Sequence, residues 1–189
     1  NYPEAIKAFE NAIGIDPKFT SVHNNLGTIH TFQKEYVKAI NSFKEALLTN
    51  PKFQNGFFNL GMVYEILGRY PEAIKTYKAL LNLNPNHKEA MFSLGWALMD
   101  ERRYLEAAPI LRKAVRLNSK NADTHYSLGI VYTELGRNED ALMQYRKTLQ
   151  IDGNHTGAHE KIARLQKEIT VRPQSQPKSQ TEVTPQDSD

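Results

Sequence analysis

Few residues in this chain have types and spacing suited to chemistry. His155 and His159 are four apart, so on a helix their imidazoles would share a face and could fill two positions around a metal. No third ligand is evident near them, and His155 falls where a helix would start. A surface pair is the expected outcome, and no metal is expected. Cysteine is absent, which excludes disulfides, thiolate zinc sites and cysteine nucleophiles. The sequence also lacks a Gly-rich phosphate loop, a nucleophile elbow and a buried carboxylate pair, so neither catalytic residues nor a cofactor are expected. What remains is the chemistry of recognition. Asn25, Asn59, Ser93 and Ser127 recur at intervals of 34 residues; so do Phe58, Phe92 and Tyr126, and so do Met62, Trp96 and Ile130. A side-chain amide offers both donor and acceptor and can hold an extended peptide backbone whatever its sequence. A row of rings and aliphatic groups can grip apolar side chains of a peptide or helix.

The interval defines the elements that must carry these residues. Pro17, Pro51 and Pro85 share it, and the register continues through Ser119 and Gly153. Leu26, Leu60, Leu94, Leu128 and Ile162 form one column, followed at once by Gly27, Gly61, Gly95, Gly129 and Ala163. Small residues there would let two helix backbones approach closely. Ala5, Ala39, Ala73, Ala107 and Ala141 form a second small column, and Phe9, Phe43, Tyr77, Leu111 and Tyr145 follow one turn later, each a knob beside a hole. Within one unit, Phe57, Leu60, Gly61 and Tyr64 are spaced as one face of a helix. A second helix is predicted around Tyr70 to Leu83, with Gly68 in the turn, Pro71 tolerated in the first helical turn and Asn84-Pro85 as the stop. Each unit therefore reads as an antiparallel helical hairpin. Pro109, which removes a backbone bond to Leu105, is expected to bend or delay its helix.

The run Phe57-x2-Leu60-Gly61-x2-Tyr64, then Ala73-x3-Tyr77, then Pro85, resembles the tetratricopeptide repeat, a helix-turn-helix unit of this period. The resemblance extends over about the first 170 residues. It implies an all-α fold, a right-handed superhelical solenoid of antiparallel helix pairs. Units are expected at 20–53, 54–87, 88–121 and 122–155, with 1–19 as the second helix of a truncated repeat and 156–170 as a polar C-terminal capping helix. Residues 171–189, dominated by Gln, Pro and Ser, are expected to be a disordered tail. Departures are local: Leu80 and Thr148 replace the usual small residue, Asn138 an aromatic, and Ser119 and Gly153 a proline.

The resemblance also implies that the face opposite Leu60 and Tyr64 lines a concave groove. The groove residues would be Asn24, Asn25, Phe58, Asn59, Met62, Phe92, Ser93, Trp96, Tyr126, Ser127 and Ile130. Two readings of the apolar residues stay open, a groove for a peptide or packing between neighbouring units. The polar row likewise is either a backbone clamp or ordinary solvated surface. In relatives such as the repeat region of O-GlcNAc transferase, asparagines in this column serve as a clamp, an implication that reaches only Asn25 and Asn59. The two-carboxylate clamp of chaperone-binding relatives needs Lys and Arg where this chain has Asn24, Phe58, Glu89, Ser93, Asp123 and Ser127. Binding of an EEVD-type terminus is therefore not expected, and Glu89 and Asp123 favour a basic or neutral ligand. His23, His125 and His159 share a column with Phe57 and Met91 and read as packing residues.

Composition sets the remaining bounds. The net charge of +3 arises from 24 basic and 21 acidic residues without a dense basic run, so no nucleic acid is expected as partner. No apolar run approaches the ~20 residues that span a bilayer, so direct membrane insertion is not expected. Asn154-His155-Thr156 fits a glycosylation sequon, relevant only on a secretory route. Neither an initiator Met nor a signal-peptide pattern is present, so the natural amino terminus is expected to lie upstream, with further repeats covering an apolar face. A cytoplasmic location is the working expectation. The leading functional expectation is a protein-protein interaction scaffold or adaptor, binding a peptide or partner segment of order micromolar affinity. The alternative is a substrate-recruiting segment of a larger enzyme such as a glycosyltransferase. A third reading, single-strand RNA binding, is opposed by the 34-residue register and the absence of a basic groove.

Overall fold

A computed structural model describes residues 2–171. The expected tail lies outside the described residues. Ten helices and no strand occur among them: α1 (Tyr2–Ile15), α2 (Thr20–Phe32), α3 (Tyr36–Thr49), α4 (Gln54–Ile66), α5 (Tyr70–Leu83), α6 (Lys88–Asp100), α7 (Tyr104–Leu117), α8 (Ala122–Glu134), α9 (Asn138–Ile151) and α10 (Thr156–Val171). Helices α2 and α3, α4 and α5, α6 and α7, and α8 and α9 form hairpins. The second helix of each hairpin packs in turn on the first helix of the next.

Local chemistry ends each helix on schedule. At the close of the second helices, Asp16, Asn50, Asn84 and Asp152 each accept a backbone N–H from two residues ahead at 2.9–3.2 Å, and this Asx turn offers the chain an alternative to continuing the helix. Within the hairpins the link is a left-handed residue in one register: Lys34 (φ 62°), Gly68 (φ 66°), Arg102 (φ 54°) and Gly136 (φ 71°). Glycine adopts that conformation without a Cβ clash, whereas lysine and arginine do not. Lys34→Gly and Arg102→Gly are therefore each expected to stabilise the array by about 0.5–1 kcal/mol, net of glycine's larger unfolded-state entropy. Urea titration followed by circular dichroism checks this; a loss of stability in both variants would refute it.

Packing within each hairpin shows what the small column accommodates: each glycine makes room for a side chain of the facing helix. A Cβ built on Gly27 would lie 2.6 Å from the Phe43 ring, on Gly61 2.5 Å from Tyr77, on Gly95 2.4 Å from Leu111 and on Gly129 2.5 Å from Tyr145. The knob comes from the second helix and the hole from the first, 16 residues earlier. Around these contacts runs the core, with Ala39, Phe43, Ala73, Tyr77, Ala107, Leu111, Ala141 and Tyr145 essentially inaccessible to solvent.

Pro109 does not delay the start of its helix, which corrects that half of the expectation. Helix α7 starts at Tyr104, in register with Tyr36 and Tyr70, and has the same 14 residues as α5 and α9. Pro109 and Leu105 both lie on the solvent side, where water can satisfy the carbonyl that loses its partner.

The stack curves. First helices of successive hairpins touch, α2 with α4, α4 with α6 and α6 with α8, while no comparable contact joins α3, α5, α7 and α9 to one another among the described residues. The even-numbered helices thus line the inner face and the odd-numbered ones splay on the outer face. At the carboxyl side α10 buries Ala158 and Leu165 against α9.

Candidate peptide-binding groove

The inner face is built from helices with apolar residues on both sides, and the structure divides the predicted groove residues into two kinds. Phe58 is half-buried, its ring 5.4 Å from that of His87 and 6.1 Å from that of Tyr77. One hairpin pair further on, Tyr126 repeats the arrangement against His155 at 4.4 Å and Tyr145 at 5.7 Å. Phe92 and Ile130 are also half-buried and pack against the core. Phe58 and Tyr126 therefore each knit one hairpin to the loop that opens the next. Met62 and Trp96, one turn along, project instead, 41% and 45% exposed.

The polar row divides similarly. Asn25 is exposed, and Ser93 is half-buried. Asn59 donates an Nδ2–H to Asn24 Oδ1 at 3.0 Å, which joins α4 to α2 and leaves the Asn59 Oδ1 and the second Asn24 lone pairs for other partners. Ser127 is 3% exposed, so its hydroxyl offers little to a ligand on this face.

Between α2 and α4 lies a hollow of about 300 Å3 lined by Thr28, Phe32, Asn59, Met62, Val63 and Ile66, with the Phe43 ring and Thr31 also contributing. Phe32 is not foreseen from the sequence, and Ile66, which the helical spacing puts on this face, is absent from the expected groove residues; they are 68% and 52% exposed. The signal was present: each sits four residues beyond Thr28 or Met62, on the same helical stripe. The Tyr2 ring stacks on Phe32 at 6.4 Å with an interplanar angle of 8°. A second, smaller hollow of about 220 Å3 brings together Phe58, Phe92 and Ser93 with Lys88, Glu89 and Asn121. The structure thus places Asn59 and Met62 at one hollow and Phe58, Phe92 and Ser93 at another.

From α2 to α8 charge on this face is mostly acidic, whereas α10 brings Lys161 and Arg164 into the Asn59 and Met62 columns. Glu65, Glu89, Asp100, Asp123 and Glu134 lie on α4, α6 and α8 against a lone Lys88, and α2 carries none. Glu65 accepts the Tyr77 hydroxyl at 2.5 Å; burial lifts its carboxyl above the usual carboxylate range, partly offset by that hydrogen bond. Burial, with the Glu65 contact second, pushes the Tyr77 phenol far above its ordinary value.

The histidines serve the backbone. Nε2–H of His23, His125 and His159 donates to the carbonyl six residues earlier, that of Pro17, Ser119 and Gly153, at 2.8, 3.2 and 2.9 Å. This pins three of the inter-helix loops, those before α2, α8 and α10, to the helix that follows. His155 Nδ1 accepts the Ala158 N–H at 3.2 Å and so caps α10. Among the described residues no three His, Cys, Asp or Glu side chains are grouped so as to hold a metal ion, and no helix is long and apolar enough to cross a membrane.

Comparison with known proteins agrees with this architecture. A tetratricopeptide repeat model matches residues 35–88, 58–122 and 92–156, and the chain belongs to the tetratricopeptide repeat family, an all-α solenoid class of protein-interaction scaffold. A search of the curated proteins found none that matches. Among solved structures, MamA is 27% identical with a TM-score of 0.78, covering 81% of this chain and 84% of that one. YrrB, described as a TPR protein with an unusual peptide-binding site, is 21% identical with a TM-score of 0.80, covering 88% and 86%. A tetratricopeptide repeat protein from Parabacteroides merdae is 22% identical with a TM-score of 0.76, covering 89% and 67%.

Proposed function

We propose that the inner face binds an extended protein segment of neutral or basic character, anchored by an apolar side chain in the hollow between α2 and α4. The observation that carries this reading is the set of exposed apolar groups, Phe32, Met62 and Ile66 at the hollow and Trp96 on the next first helix, on a face whose other apolar residues are packed. A stripe left exposed while its neighbours are packed is a surface for a partner. A volume of about 300 Å3 is at the small end of ligand pockets and suits one large or two small side chains. Asn25 and the Asn24–Asn59 pair stand beside it with amides to spare for a peptide backbone. The acids along α4, α6 and α8 repel an acidic ligand. That a structurally similar protein, YrrB, is described as having a peptide-binding site supports the same class of activity. The function is one of binding, with Met62, Trp96, Asn25 and Asn59 as its principal residues.

Selection of a phage-displayed peptide library on the full chain tests this. Enriched peptides should carry apolar anchors and few acids. Trp96→Ala should weaken them by about 1–3 kcal/mol, or 5–150-fold, and Met62→Asp by at least as much. Peptides that bind both variants as tightly as the unaltered chain would sink the groove.

A further inference from the structure

The outer face carries a different charge pattern. Because residues 34 apart are stacked by the fold, cations scattered along the sequence fall into rows. The most outward stripe of the odd-numbered helices holds Lys44 on α3, Lys75 and Lys78 on α5, Arg112 and Arg116 on α7, and Arg146 on α9, all exposed; the acids on that stripe are Glu10 on α1 and Glu139 at the start of α9. Lys44, Lys78, Arg112 and Arg146 form one column of the repeat, cationic from α3 to α9, with Glu10 in the same place on α1. Lys78 meets Glu106 at 3.3 Å, whereas Lys44, Lys75, Arg112, Arg116 and Arg146 make no ion pair among the described residues. A second observation sits in the same place. Where α7 and α9 splay apart, a cleft of about 450 Å3 opens, with Val115 and Met143 offering apolar surface and Arg146 and Lys147 at its rim. Met143 is exposed.

We infer that the outer face around α7 and α9 is a second docking surface, for an acidic segment of a partner protein that also presents an aliphatic side chain. Arginine pairs bidentately with carboxylates, and a column of them along successive helices matches a segment with repeated Glu or Asp. The cleft asks for an aliphatic group, which a nucleic acid lacks. The stripe also holds no aromatic ring on which bases could stack. A flat anionic membrane would meet only the crests of a face whose helices splay, leaving the cleft unfilled. Inner and outer faces therefore select opposite charges, and one chain can hold a basic and an acidic partner together.

The test uses the full chain and a short fluorescein-labelled peptide of alternating Glu and Leu, read by anisotropy, beside a Glu/Ser peptide of equal length and charge. The Glu/Leu peptide should bind more tightly than Glu/Ser. Arg112→Glu/Arg146→Glu should weaken it about tenfold or more with helicity by circular dichroism unchanged, since both side chains are exposed. Lys7→Glu/Lys18→Glu, which makes the same change in net charge at the far end of the stack, should bind as the unaltered chain does. Trp96→Ala should also leave this binding intact, which separates the outer surface from the inner groove. Equal weakening in the two charge-reversal variants, equal binding of the two peptides, or full displacement of the Glu/Leu peptide by oligothymidylate or phosphatidylserine vesicles at lower concentration would overturn the inference.

Discussion

Replacing Tyr77 by Ala is expected to cost about 3–5 kcal/mol, the range for truncating a fully buried aromatic side chain. The ring is inaccessible to solvent, fills the hole above Gly61, lies 6.1 Å from the Phe58 ring and donates its hydroxyl to Glu65. Truncation empties the hole, loosens Phe58 and leaves the half-buried Glu65 carboxylate without its donor, three losses at one point. In a linear stack each hairpin is stabilised chiefly by its neighbours, so the damage should be local in space yet divide the array. Amide exchange is expected to accelerate in α4, α5 and α6 first, and urea unfolding should broaden or split into two transitions. A uniform shift of a single sharp transition, with protection lost evenly from α1 to α10, would contradict this picture.

Gly61→Ala is the complementary case. Alanine is the better helix former by about 1 kcal/mol, yet the variant is expected to lose about 1–3 kcal/mol because its Cβ would sit 2.5 Å from the Tyr77 ring. That ring cannot swing clear without breaking its bond to Glu65. Gly95→Ala meets Leu111 at 2.4 Å, but a leucine can change rotamer, so the smaller loss belongs there despite the shorter distance. A double-mutant cycle separates overpacking from a general intolerance of side chains. With Tyr77 already Ala, the Gly61 substitution should become neutral or stabilising, because the added methyl then fills space and the helix propensity is gained in full. Chemical denaturation of the four proteins measures the coupling. If Gly61→Ala costs the same in both backgrounds, the knob and hole are not partners.

The helices and their order were legible from residue types because each boundary is a local event. A proline or Asx residue at the end of the second helices, a glycine at Gly68 and Gly136, and the spacing of Leu60, Gly61 and Tyr64 act over a few residues, so a 34-residue repeat of them predicts a repeat of hairpins. Even Lys34 and Arg102, which locally disfavour the left-handed turn, are carried into it by their place in the repeat. The candidate groove was only partly legible. Met62, Trp96 and Asn25 project as their columns suggest, but the sequence could not tell them from Phe58, Tyr126 and Ser127, one step away on the same helices.

The sequence by itself determined periodicity, the hairpin unit, the family and which residues share a helical face. Tertiary structure decided which of those residues remain exposed, since that depends on how far one hairpin rotates against the next, a sum of side-chain contacts between units. The same stacking made Phe32 and Ile66 part of one hollow and collected Lys44, Lys78, Arg112 and Arg146 into a row. Residues 34 apart are strangers along the chain and neighbours in a solenoid, so surface chemistry on this scaffold exists only once the repeats are stacked.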